Sequence, residues 1–279
     1  MQIFHKINDV QGYLTKFNNI SVGFVATMGA LHDAHISLIE YSKSQNKLTI
    51  CSIFVNPKQF NNKEDLTNYP NNVELDLTKL RDAACDVVFI PSVKEMYPNK
   101  VEKEFDFGVL SRVMEAKHRP GHFNGVAIVI ERFFDILHPT NAYFGEKDFQ
   151  QLAVIRSLVK QIGCRVNIIG CPIYREDNGL AMSSRNQRLT VKEKNVASVI
   201  SKALIFVSQH KNTHSVLELK DYFMCSIAKT KLINPEYFEI ADKNTLEPVS
   251  YWGNAETYIA FTAVNVNGVR LIDNMTIIN

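Results

Sequence analysis

The sequence predicts an α/β protein: a Rossmann-like, doubly wound parallel sheet over residues 1–175, followed by a smaller α+β domain over residues 176–279. Three observations carry this reading. Short apolar runs alternate with stretches of helical period through the first half, the rhythm of β-α-β units and so of a parallel sheet. Polar clusters fall at the C-terminal ends of those runs, where open α/β sheets bind their ligands. Beyond Tyr174 to Glu176 the rhythm changes to helices and then to strands joined by a hairpin turn.

In order, GFVATMGALHDAHISL, Gly23 to Leu38, reads as a strand, a tight Thr-Met-Gly turn and a helix. His32 and His35, three apart, are expected on one face of the helix's first turn. With the amides near Gly29 and Ala30, expected to be free at a helix N-terminus, they converge as donors on a triphosphate. A zinc motif is not met, because the further Cys/His pair and the acidic ligand are not nearby. KLTICSIFVNP gives a second strand closed by Pro57, and KQFNNKEDLTNYPNN a long polar loop. VELDLTKLRDAA, with Val73, Leu77 and Leu80 at helical spacing, precedes a third strand, CDVVFIP. Between Ser92 and Gly121 the pattern weakens to a turn at MYPNK, a short strand at EFDFG and a short helix at GVLSRVMEA.

GVAIVIERFFDILHP is expected as a deeply buried helix stopped near Pro139. NAYFGEKD reads as a strand ending in a charged turn, DFQQLAVIRSLVKQI as an amphipathic helix with Asp148 at or near its N-cap, and CRVNIIGCPIYRE as one more strand. That makes about five β units. Thr190 with Glu193, and Ser215 with Glu218, fit the capping box. PEYFEIADK and ETYIAFTAVNVNGVRLIDNMTII read as strands, with Asn267-Gly268 as a hairpin turn.

A net charge of +2 lacks the clustered basic excess of a nucleic-acid binder. The five cysteines, Cys51, Cys85, Cys164, Cys171 and Cys225, form no C-x-x-C pair and are expected as small core residues in a reducing compartment. No leader pattern and no apolar stretch of about 20 residues occurs, so a cytoplasmic protein without a membrane span is expected.

Three polar clusters fall at strand ends: Thr27 to His35, Asn56 to Gln59, and Gly145 to Gln151. Lys147 is a point charge suited to a phosphate, and Asp148 can cap a helix or accept a ribose hydroxyl. Asn56 and Gln59 offer neutral amides to a polar substrate. Gln151, three past Asp148, faces the same way. Met182, Ser183, Ser184 and Arg185 combine hydroxyls, amides and a guanidinium that can hold a phosphate, or else form a solvated hinge. Lys117, His118, Arg119, Gly121 and His122 read as a phosphate clamp or a charged loop; Pro120 excludes a metal-binding helix.

The order TMGALHxxH, FVNPxQF, RPGHFxGV, YFGEKDxQQLxVIR and GLAMSSRN resembles the pantothenate synthetase (pantoate–β-alanine ligase) family across about residues 20 to 190. H-x-x-H and MSSR also resemble the signatures of the wider nucleotidyltransferase and class I aminoacyl-tRNA synthetase superfamily, which implies a sheet of nucleotidyltransferase type. The resemblance implies an ATP- and Mg2+-dependent joining of (R)-pantoate to β-alanine, releasing AMP and pyrophosphate through a pantoyl adenylate. It implies a homodimer whose partners are small molecules, with neither nucleic acid nor membrane.

Residue by residue, the resemblance implies that Met28, Gly29, Ala30, Leu31, His32, Asp33, Ala34 and His35 line the ATP site. His35 would be the family's proton donor and His32 a phosphate partner. Gly145, Glu146, Lys147 and Asp148 would contact ATP, Lys147 at the phosphates and Asp148 at the ribose. Asn56, Gln59 and Gln151 would hold pantoate, Gln59 also serving β-alanine. Met182, Ser183, Ser184 and Arg185 would close over the triphosphate, Tyr174 would give adenine a backbone contact, and the C-terminal domain would act as a lid. Asp76 is the candidate magnesium-side carboxylate. Ala26 and Ala34 stand where the family usually has proline and glycine, and the Ala34 methyl is expected to crowd or shift adenine. Two rivals stay open: a nucleotidyltransferase that stops at an adenylated product, and a nucleotide sensor without turnover. Asn56, Gln59 and Gln151 favour a second, acidic substrate, and intact Lys147 and Arg185 count against the sensor.

Overall fold

In the computed structural model the described residues are 1–279 except 18, 62, 68, 254, 278 and 279. The chain divides into two units. The first comprises Met1–Phe107, Arg119–Glu146 and Gln151–Pro172. It is built on six strands: β1 (Gln2–Phe4), β2 (Val22–Thr27), β3 (Leu48–Ile53), β4 (Val87–Phe89), β5 (Asn141–Gly145) and β6 (Asn167–Cys171). Their order is β1-β4-β3-β2-β5-β6, and every pair is parallel. β2 and β3 are buried almost throughout, as strands covered on both faces must be.

Successive residues of β2 serve opposite faces. Phe24 meets Phe133 and Phe134 of the helix His122–Leu137, ring centroids 5.3 and 6.4 Å apart. Val25 packs in a cluster with Leu31, Ile39, Leu77 and Leu80, the last two from the helix Val73–Asp82. β2 lies between β3 on one side and β5 on the other, with Gly23 opposite both Thr49 and Asn141. The strand order reverses there, so the carboxyl ends of β2 and β5 flank the switch point at which such sheets form a ligand crevice.

The parallel sheet has one strand more than expected. β1 is a three-residue edge strand, too short to show a period. Conversely EFDFG forms no strand: Val101–Phe107 is irregular, while Val93–Met96 adds a short helix capped by Ser92.

The second unit comprises Gly108–His118, Lys147–Gln150 and Ile173–Asn279. β7 (Ile233–Asp242), β8 (Tyr258–Val266) and β9 (Val269–Ile277) form an antiparallel sheet in that order. Asn267 and Gly268 take positive φ, 47° and 86°, the left-handed pair a two-residue hairpin turn requires. Leu204 and Val207 from the helix Val199–Gln209, with Leu219 and Phe223 from the helix Val216–Ala228, pack in one cluster with Ile240, Ala260 and Val264 of the sheet. Both capping boxes form: the Glu193 and Glu218 carboxylates each receive the cap residue's main-chain N–H at 2.7 Å. These bonds hold both carboxyls below the usual range.

The change of rhythm falls at Tyr174 to Glu176, whereas the second unit resumes at Ile173 and also takes in two earlier pieces. The tertiary allegiance of such short pieces is not encoded in a local period. Cys51, Cys85 and Cys171 are buried, but Cys225 is exposed. Among the described residues no helix is long and apolar enough to cross a membrane.

Candidate functional site

β2 ends at Thr27, whose hydroxyl donates to the Ser52 carbonyl (2.6 Å) and accepts the Gly29 N–H (3.3 Å). The chain then takes two left-handed residues in succession, Gly29 at φ 82° and Ala30 at φ 51°. Alanine is strained there by roughly 1 kcal/mol or more. Asp76 holds it in place: the Ala30 N–H donates to Oδ2 at 2.9 Å and the Leu31 N–H to Oδ1 at 2.7 Å. One turn along the same helix, Lys79 donates to the Leu31 carbonyl at 2.5 Å. The turn is thus pinned from below by two side chains of the helix Val73–Asp82.

Two expectations change here. The amides at Gly29 and Ala30 are not free donors, because the helix begins only at Asp33 and the turn before it spends them on Thr27 and Asp76. Asp76 does not fit a magnesium ligand either. It is 1% exposed, and each oxygen receives a main-chain N–H, whereas Mg2+ keeps several waters and needs an accessible carboxylate. Among the described residues no group of three His, Cys, Asp or Glu is arranged to hold a metal ion.

His32 is extended (φ −140°) and precedes the helix Asp33–Gln45 as its N-cap, rather than lying within the first turn. His35 is the third helical residue, and the two rings lie 4.0 Å apart. The His32 main-chain N–H donates to His35 Nδ1 at 3.3 Å. A peptide N–H only donates, so Nδ1 is the acceptor and a neutral His35 carries its proton on Nε2. Asp33 is exposed, and Ala34 is half-buried with its carbonyl taken by the Ser37 hydroxyl.

After β3, Asn56 is 1% exposed and its amide is fully used. Oδ1 accepts from the Lys58 N–H (3.2 Å) and the Tyr97 hydroxyl (2.9 Å); Nδ2 donates to the Gly125 carbonyl (3.0 Å) and Gln59 Oε1 (3.1 Å). Lys58 N–H and Gly125 C=O each have one possible role, so the orientation is fixed. Asn56 therefore has no capacity for a substrate and instead orients Gln59. With Oε1 facing Asn56, the Gln59 Nε2 turns toward Met28, 3.0 Å from its sulfur. The main chain of Gln59 is held as well: His122 Nδ1 donates to its carbonyl at 2.8 Å, and Arg119 donates to His122 Nε2 at 3.0 Å, which fixes that tautomer. The structure thereby brings the Asn56–Gln59 and Thr27–His35 clusters together.

Gly125 is what lets the helix His122–Leu137 approach this segment, since a Cβ there would lie 2.2 Å from the Lys58 carbonyl oxygen. Gly125→Ala is expected to lower folding stability by about 3 kcal/mol, read as a fall in the urea midpoint; an unchanged midpoint would contradict so close an approach.

Gly145 ends β5, and the carboxylate of Glu146 lies beside Gly170 of β6. Burial, assisted by the Glu146 charge, pushes the Cys171 thiol up to about 11. Gln151 is half-buried, and among the described residues no hydrogen bond takes its side-chain amide. The adjacent Gln150, which belongs to the second unit, spends its amide on the Glu115 N–H and the Leu110 and Val113 carbonyls.

The second unit carries the other predicted residues. Lys147 is mostly buried, with Nζ 3.5 Å from Asp148 Oδ2. Tyr174 is exposed, and its carbonyl accepts the Met182 N–H at 3.0 Å. Between them Glu176 to Gly179 form a turn, with Gly179 at φ 90°. Ser183 caps the 3-10 helix Ser184–Arg188, its hydroxyl accepting the Arg185 N–H at 3.3 Å. Buried Asn186 donates to Glu176 Oε1 (2.8 Å) and the Ala181 carbonyl (3.1 Å). The MSSR segment thus runs from a bonded hairpin at Met182 into a capped 3-10 helix, rather than forming a solvated hinge. In the basic run, His118 bonds to Glu236 at 2.8 Å and stacks on Tyr237, while Arg119 and His122 hold Gln59.

These features define a doubly wound α/β protein with a polar site at the carboxyl ends of its parallel strands, next to the switch point. Comparison with known proteins narrows the class. The chain matches the family model described as pantoate-beta-alanine ligase over residues 2–276. It is 45% identical to the pantothenate synthetase of Bacteroides thetaiotaomicron, covering 99% of this chain and 98% of that one. The crystal structure of pantothenate synthetase from Thermus thermophilus matches with a TM-score of 0.93 at 36% identity over 100% of both chains. That of the Francisella tularensis pantoate-beta-alanine ligase, complexed with beta-gamma ATP and beta-alanine, gives 0.83 at 35% identity, covering 99% of this chain and 97% of that one. The chain belongs to the pantoate–β-alanine ligase family.

Proposed function

We propose that the protein condenses (R)-pantoate with β-alanine at the expense of ATP, giving pantothenate, AMP and pyrophosphate through a pantoyl adenylate. The observation that carries this reading is Gln59, held at both ends so that its donor nitrogen turns toward the histidine-bearing turn. A carboxylate resists attack by an amine until one of its oxygens becomes a good leaving group. A pantoate oxygen therefore attacks the α-phosphorus of ATP, and the bond to pyrophosphate breaks. The amine of β-alanine then attacks the acyl carbon of the mixed anhydride, loses a proton and expels AMP. Holding the reactants together removes most of the entropic cost of each step.

Gln59 Nε2 and the uncommitted amide of Gln151 are assigned to pantoate. His35 Nε2–H and His32 are assigned to charge developing on the phosphate oxygens, the kind of donor that stabilises a transition state most. Within the second unit, Lys147, Ser183, Ser184 and Arg185 are assigned to the phosphates and Asp148 to the ribose. Tyr174 would offer adenine its N–H, since its carbonyl is engaged. The ligand-bound relative from Francisella supports ATP and β-alanine as two of the three substrates.

One assay tests the reading against an enzyme that stops at the adenylate. The protein is incubated with ATP, magnesium and pantoate, with and without β-alanine, and pyrophosphate, AMP and pantothenate are followed. Pyrophosphate release with pantoate, and pantothenate and AMP only after β-alanine is added, are expected. Absence of AMP and pantothenate under every condition would sink the ligase reading.

A further inference from the structure

Asp273 and Asn274, adjacent on β9, are both 4% exposed. Successive residues of a strand face opposite sides, so two neighbouring buried polar residues need partners on both sides, and both have them. Asp273 receives Arg175 through two parallel bonds of 2.7 and 3.0 Å, and also the Asn274 main-chain N–H at 2.8 Å. Arg175 further donates to the carbonyls of Gly179 (3.0 Å) and Asn274 (3.3 Å). It is therefore clasped between β9 and the hairpin that leads into Met182 to Arg185. Asn274 Nδ2 donates to the Lys147 carbonyl at 2.8 Å. Desolvation by burial, ahead of the opposing Arg175 contact, holds the Asp273 carboxyl above its usual range, and a buried ion pair is by itself weak evidence of a stabilising role.

We propose that Asp273 and Asn274 are positioning residues that hold two phosphate-binding segments in register. Asn274 fixes the main chain at Lys147, and Asp273, through Arg175, fixes the hairpin at Gly179 that leads into Ser183–Arg185. The proposal rests on the assignment of Lys147 and Arg185 to ATP phosphates and extends it to residues that touch no ligand.

The test measures the Kd for ATP calorimetrically, alongside pyrophosphate release, for wild type, Asn274→Ala, Lys147→Ala and the double variant. Asn274→Ala is expected to weaken ATP binding about tenfold, the loss of one well-placed hydrogen bond, with the KM for pantoate unchanged. In the Lys147→Ala background the same substitution is expected to add nothing, because the two act as one unit. Equal fold-changes in both backgrounds, or an unchanged ATP Kd in Asn274→Ala, would overturn the proposal. Should Asn274→Ala melt well below wild type, Asn274→Leu, which is similar in shape and carries no donor, takes its place in the same cycle. A wild-type protein that binds ATP yet makes no pantothenate would defeat the ligase reading alone and leave the cycle decisive; one that binds no ATP would defeat both.

Discussion

Asp76→Ala is expected to abolish pantothenate formation and to cost about 4 kcal/mol of folding stability. Hydrogen bonds to a charged group contribute about 1.5–3 kcal/mol each, and Asp76 accepts two from the consecutive N–H groups of Ala30 and Leu31. Removing it strands both amides in the interior and leaves Ala30 in a left-handed conformation with nothing to enforce it. The turn would then relax toward ordinary φ, moving Met28 and His32 off the positions that Gln59 and His35 meet. Lys79, bonded to the Leu31 carbonyl, cannot substitute, because it offers only donors. Asp76→Asn keeps the volume but turns an NH2 toward one of the two N–H groups, so about half the stability loss is expected. Urea unfolding and pyrophosphate release read both variants. A magnesium ligand would behave otherwise: Asp76→Asn would keep the unfolding midpoint and shift only the magnesium dependence of the rate.

The same residue shows where the sequence is legible and where it is not. The β-α-β rhythm, the two capping boxes and the Asn267-Gly268 turn are short-range devices, and each is visible within a few residues. Asp76 belongs to a bond spanning 46 positions, so in the sequence its chemistry reads as that of an open carboxylate. One local sign is present: Asp76 shares the helical stripe of Val73, Leu77 and Leu80, where a charge must have a buried partner. Asn56 is opaque for a similar reason. Its amide is consumed by Tyr97 and Gly125, 41 and 69 positions away, and a bare Asn-Pro at a strand end carries no trace of that. Gly125 does carry a hint, since a glycine inside an apolar helix costs about 1 kcal/mol relative to alanine and asks for a close approach. Adjacent Asp273 and Asn274, in a strand otherwise rich in apolar residues, are the corresponding sign for the second unit.

His35→Ala is expected to slow pyrophosphate release by about 10²- to 10³-fold, the usual effect of removing one preorganised donor from developing negative charge. The substitution does two things at once, however. It deletes the Nε2 donor, and it deletes the Nδ1 that accepts the His32 N–H at the helix start, a cap worth about 1 kcal/mol. His35→Asn separates them. An asparagine Oδ1 can take the place of Nδ1 and keep the cap, while nothing reaches the position of Nε2. The melting temperature of His35→Asn is therefore expected to stay near that of wild type while its rate falls with that of His35→Ala. If His35→Asn instead recovers most of the rate, the ring matters for ordering the turn and not for the phosphate; near wild-type rates in both variants would remove His35 from the chemistry altogether.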